Sequence, residues 1–202
     1  MKFNMESPVF QFLGTLFDFV ILNIVFLVTC IPVVTIGPAV SALYTITLRE
    51  VRNEQGYIVR PYLTAFKENF KQSFLLSIFY TVIGAVLLYN LAFWAQMKTA
   101  AGTVFLVVVA VCVLLYALSL LYVFALSARF DNTVKLTIKN SLLIALASPK
   151  QTVMLLLILA ISGVLAFVSP VFRVFLVIFG FAFLAYCASF PLTKVFQKYE
   201  TE

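Results

Sequence analysis

The most constraining feature of this 202-residue sequence is a succession of apolar runs near the length that a lipid bilayer demands. A helical span needs roughly 20 predominantly apolar residues. Runs of that kind cover about Val9–Ile31, Ser73–Gln96, Thr103–Ser127, Gln151–Val168 and Val171–Pro191. The composition agrees: 63% of residues are hydrophobic and 11% charged, where a soluble domain runs near about 45–50% and 25%. A core of this chain length cannot enclose so much apolar surface, and what remains between the runs is too short for a separate soluble domain. The expected fold is an all-α integral membrane protein of about five transmembrane helices with short amphipathic helices between them.

The first run is too long for the apolar region of a cleavable signal, and no small-residue cleavage site follows it, so it is expected to stay as a span. Pro32 stops it, and Pro32, Thr35, Gly37 and Pro38 mark a structural turn before a short helix from Pro38 to Arg52. Asn53–Tyr57 reads as a turn. Arg60–Ser73 follows as an amphipathic helix, since Leu63, Phe66, Phe70 and Phe74 recur every three or four residues while Lys67, Glu68 and Lys71 lie off that stripe. Arg129–Asn140 repeats the arrangement, with Phe130, Val134, Ile138 and Leu142 against Lys135 and Lys139. Both suit helices lying at a membrane surface. Ser148-Pro149-Lys150 interrupts the next apolar run and places Leu142–Ala147 at the interface before a kink.

Basic residues set the orientation. Arg49, Arg52, Arg60, Lys67, Lys71, Arg129, Lys135, Lys139, Lys150, Lys194 and Lys198 fall on one side, and only Lys2, Lys98 and Arg173 on the other. Eleven against three puts the longer loops and the C-terminus in the cytoplasm. The N-terminus is outside if the first span crosses once, and inside if Thr35–Leu48 re-enters the membrane.

A shift of 68 residues aligns Phe66–Leu76 with Val134–Ile144, pairing Lys67 with Lys135, Lys71 with Lys139 and Ser73 with Ser141. The expected organisation is one membrane domain. Residues 1–59 hold the first span and a re-entrant or interfacial helix, and 60–127 and 128–202 form two parallel repeat units.

Candidate chemistry is sparse. There is no histidine, which removes the commonest general base and zinc ligand. No phosphate-binding loop, zinc-protease or nucleophile-elbow motif appears, and no basic soluble module suggests nucleic acid. The expectation is a non-enzymatic protein without cofactors. Cys30, Cys112 and Cys187 each sit in an apolar run and are expected to pack rather than pair. The intramembrane polar residues are Asp18, Asn23 and Asn90. Asp18 is read either as a functional carboxylate or as a group at the outer interface, solvated or paired with Arg173. The asparagines are expected to hydrogen-bond between helices.

Leu22-Asn23 followed by CIPVVTIGPAVSALY (Cys30–Tyr44), and the segment Phe66–Gln72, resemble the YesL-like family of small bacterial membrane proteins, mostly Gram-positive and long described as a domain of unknown function. The resemblance covers nearly the whole chain. It implies a bacterial cell-membrane protein with an accessory role beside the permease subunits of a carbohydrate ABC importer, and it carries no active site. An independent small-solute or lipid transporter is the other reading. Lys67, Lys71, Lys135 and Lys139 are the candidate partner surface.

Overall fold

The computed structural model describes residues 8–52, 54, 56–97 and 99–200, with side chains from 14 to 199. Among these residues the chain is helical, without strands. Helix α1 spans Pro8–Cys30, and a short 3-10 turn at Val33–Thr35 leads into α2, Ile36–Val51. Then come α3 (Val59–Glu68), α4 (Phe70–Gln96), α5 (Ala100–Arg129), α6 (Val134–Ala147) and α7 (Pro149–Val168). Helix α8 (Pro170–Phe175) passes through a π turn at Leu176–Gly180 into α9 (Phe181–Glu200).

Among the described residues, four stretches are long and apolar enough to cross a membrane: α4, α5, α7 and the continuous Pro170–Tyr199. Their outer faces carry large apolar side chains at helical spacing, such as Val82, Val86 and Tyr89 on α4 and Val153, Leu157 and Ile161 on α7, all exposed. Apolar exposure on this scale exceeds what soluble monomers tolerate. The chain is a membrane-embedded helical bundle.

Three contacts show how the long helices align. The Phe130 ring, just past α5, meets Phe196 of α9 with centroids 5.5 Å apart. Gln72 of α4 donates to the Asn132 carbonyl at 2.9 Å, and the Tyr122 and Thr152 hydroxyls of α5 and α7 are 2.9 Å apart. The start of α4, the end of α5, the starts of α6 and α7 and the end of α9 therefore meet at one end of the bundle. Most of the basic side chains gather there, while Arg173 lies at the far end.

Helix α1 folds back on α2. The Tyr62 hydroxyl sits 2.7 Å from Thr29 near the end of α1 and 3.4 Å from the Ala39 carbonyl near the start of α2. At the opposite end of the pair, Asp18 lies against the loop after α2. The end of α2 joins the basic end, since Leu48 packs in one cluster with Leu192 and Phe196. The described start of α1 is thus at the same end as the basic loops. This is the arrangement expected if the second helix turns back, and not the one in which the first span crosses once.

The enclosed helix is α2, with nine of its 16 residues buried. It packs on α1, α3, α4, α5 and α9. Small side chains make this approach possible: Ala39 and Ala42 meet Ala182 and Ala185 of α9 in one cluster, and Ser189 donates to Thr47 at 2.8 Å.

Several sequence boundaries shift. The turn ends at Thr35, whose hydroxyl donates to the Thr29 and Pro32 carbonyls at 2.6 Å each, and Gly37 and Pro38 lie inside the first turn of α2. The first amphipathic segment is broken at Asn69 into α3 and α4. Its buried face is Ile58, Tyr62 and Ala65, while Leu63 is exposed. The aromatic stripe instead packs along itself, Phe66 edge-on to Phe70 and Phe70 stacked on Phe74. The second amphipathic helix starts at Val134, and Phe130 belongs to the loop before it. Pro191 does not end the last helix, and α9 runs on to Glu200. A helix-interior proline costs about 3 kcal/mol, which burial of Leu192, Val195 and Phe196 offsets at about 1.5–3 kcal/mol per side chain withdrawn from water. The 68-residue shift puts Asn69, the break before α4, opposite Thr137 inside α6, and Tyr80 inside α4 opposite Ser148, where Pro149 opens a new helix. Asn53 and Gln55 of the predicted turn, and Lys2 and Lys98 of the charge count, lie outside the described residues.

Candidate functional site

Two features of the basic end are candidates for function. The first is the lysine surface. Lys67 on α3, Lys71 on α4, and Lys135 and Lys139 on α6 are all exposed. Gln72 joins α4 to α6, donating to the Asn132 carbonyl in the loop before α6 and to the Thr137 hydroxyl at 3.1 Å. Periodicity shows neither that bond nor the role of Gln72, because its partners lie 60 and 65 residues away.

The second is a groove of about 1010 Å³ between α1, α3 and the loop joining α2 to α3. Asp18 and Ile21 form one wall, and Tyr57–Arg60, Leu63, Thr64 and Lys67 the other. The ion pairs among the described residues are Arg49–Glu54 at 3.7 Å and Arg52–Glu54 at 3.3 Å, beside the groove. Asp18, Arg60 and Lys67 are in neither. Glu50 stands close by, and burial followed by the Asp18 charge pushes its carboxyl above the ordinary range, with Arg49 pulling the other way.

Asp18 therefore does not pair with Arg173. The antiparallel α1–α2 hairpin carries it to the basic end, and Arg173 is exposed at the other. Asn23 is fully buried and bonds between helices, but to backbone. Its amide donates to the Val177 carbonyl at 2.7 Å and the Leu176 carbonyl at 3.3 Å, and its oxygen accepts from the Ala182 N–H at 3.0 Å. A π turn leaves backbone groups out of the regular ladder, and one side-chain amide with donors and an acceptor satisfies both kinds. Asn90 bonds within its own helix, to the Val86 carbonyl at 2.8 Å. Cys30 and Cys187 are half-buried, whereas Cys112 is exposed on the outer face of α5 rather than packed.

Gly37 owes its identity to packing. A Cβ there would sit 2.7 Å from the Ser73 carbonyl oxygen and 2.7 Å from the Ser77 Cβ. Its backbone is helical, so the close approach of α2 to α4 is what excludes a side chain.

Residues 19–91 match the family described as a protein of unknown function, DUF624. The match takes in the second half of α1, all of α2 and α3, and α4 as far as Leu91. It includes Asn23, Gly37 and the α3 wall of the groove, and starts one residue after Asp18. No curated protein matches the chain, and no solved structure does.

Proposed function

We propose that this chain is a non-enzymatic accessory protein of the bacterial cell membrane, of YesL-like type and from a Gram-positive host. In this reading it engages the permease subunits of a carbohydrate ABC importer through the lysine surface of α3, α4 and α6, with the basic end and the C-terminus in the cytoplasm. Residues 60–127 and 128–202 are then two diverged repeat units that contribute one lysine pair each.

The observation that carries this reading is the exposure of all four lysines, with Gln72 tying α4 to α6, the helices that bear three of them. The use of the buried hydroxyls supports it over an independent transporter. Ser73 meets Ser127 at 3.0 Å, Ser119 meets Ser141 at 2.6 Å with Tyr80 bonded to Ser119, and Tyr122 meets Thr152. Among the described residues, Ser41 and Thr193 are the buried hydroxyls without a partner. Groups spent on one another brace helices and do not present a polar path to a solute.

Reversing the charges at Lys67, Lys71, Lys135 and Lys139 tests the proposal. Co-purification with the permease should be lost while the folded yield is kept. Permease retention by the reversed variant would show that these lysines only hold the protein to anionic headgroups, where each contributes about 1 kcal/mol.

A further inference from the structure

We propose that the groove between α1 and α3 is a binding site for a phospholipid with a zwitterionic, amine-bearing headgroup, phosphatidylethanolamine being the type. The inference stands apart from the permease reading, since it needs neither a partner protein nor the α6 lysines.

Three charges in no ion pair among the described residues face one cavity: Asp18 from α1, and Arg60 and Lys67 from α3. Their arrangement has the polarity of a phosphoethanolamine group, two cations for the phosphate and one carboxylate for the ammonium. Guanidinium to phosphate and ammonium to carboxylate are both charge-assisted hydrogen bonds. The Thr64 hydroxyl on the same wall is a further donor. Helix α3 starts without a side-chain cap, so its first N–H groups add to the positive potential on the Arg60 side.

The rest of the lining is apolar. Ile21, Ile58, Val59 and Leu63 complete the walls, and Leu63 and Val59 remain partly exposed at 41% and 38%. A soluble phosphoester would gain nothing from these side chains, whereas the glycerol and upper acyl carbons of a lipid would cover them. The groove opens at the basic end, beside the apolar flank of the bundle, where headgroups lie if that end faces an aqueous leaflet surface. The carboxylate decides between lipids. Beside Asp18 an anionic headgroup without an amine meets like charge, and a choline headgroup has no N–H to donate.

The test uses the whole protein, stripped of lipid in detergent and titrated with single lipids while bound lipid is counted by native mass spectrometry. One phosphatidylethanolamine should bind ahead of phosphatidylglycerol, phosphatidylcholine and diacylglycerol. Arg60→Gln should weaken both phosphatidylethanolamine and phosphatidylglycerol about tenfold, the scale of one charge-assisted contact. Asp18→Asn should abolish the preference for ethanolamine over glycerol and choline headgroups. Lys67 stays intact in both variants, which leaves the proposed permease surface unaltered. Soluble glycerophosphoethanolamine should fail to compete. Should either variant lose its folded melting transition, Arg60→Lys and Asp18→Glu replace them, and these are expected to keep binding and headgroup preference. The proposal is overturned if the wild type does not prefer phosphatidylethanolamine, if Arg60→Gln binds both phospholipids unchanged, if Asp18→Asn keeps the preference, if either conservative replacement loses binding, or if the soluble headgroup competes as well as the lipid.

Discussion

Helices α2 and α7 are similar in length and differ in almost everything that surrounds them. Helix α7 is an apolar run in which Thr152, Leu155 and Ser162 are the buried residues of 20. Helix α2 carries glycine, two alanines, a serine and a threonine among its nine buried positions and is enclosed on every side. In a soluble protein the more hydrophobic helix would be the more buried. In a bilayer the lipid tails are as apolar as leucine, so hydrophobicity does not drive helices together. Close packing and hydrogen bonds do, and both favour small and hydroxyl-bearing side chains.

The largest expected effect comes from a pair of glycines. At Gly37 an added Cβ meets the backbone of α4, whereas at Gly163 on α7 it meets nothing within 4 Å. Gly37→Val should cost at least the about 1–3 kcal/mol typical of overpacking, since a backbone carbonyl cannot rotate away, and folded yield in detergent should collapse. Gly163→Val should melt where the wild type does. Equal melting temperatures for the two variants would show that α2 is not the tightly packed element.

The asparagines sharpen the same contrast at smaller scale. Asn23→Leu strands the Val177 carbonyl and the Ala182 N–H, at about 1–3 kcal/mol for each buried group left unsatisfied, and should lower the melting temperature clearly. Asn90→Leu removes only a bond to its own helix and should stay within about 0.5 kcal/mol, as surface substitutions usually do. A larger loss at position 90 than at 23 would mean that the π turn needs no side-chain partner.

The smallest effect is one of access. Cys112 faces outward and Cys30 packs against the cluster that holds Ala39, Ala42, Ala182 and Ala185. A lipid-soluble maleimide should therefore label Cys112 before Cys30 in folded protein, with the difference vanishing on denaturation. Faster labelling of Cys30 would place the α1–α2 hairpin at the periphery.

The fold class was legible because it depends on local quantities. Apolar run lengths mark α4, α5 and α7 to within a few residues, and Pro149 and Pro170 begin helices because a first-turn proline loses no bond. The sequence singled out Asp18 and Lys67 but counted Arg60 only as a basic loop residue and passed over Thr64, and it gave no sign that these residues line one groove. Asp18 and Arg60 are 42 positions apart, and their meeting follows from the reversal between α1 and α2, which has no periodic signature.

The sequence by itself determined that this chain is a helical membrane protein, where its long helices lie along the chain, and that most of its basic residues fall between and after the apolar runs rather than within them. Only the tertiary structure decided that α2 is enclosed, that Asn23 braces a π turn 153 to 159 residues away, and that Gly37 is there for packing. The reason is physical. Hydropathy measures the preference of a segment for an apolar medium, and lipid and protein interior satisfy it equally well. Which of the two a helix face meets depends on the shape and hydrogen bonding of distant segments, and those are settled only when the helices pack.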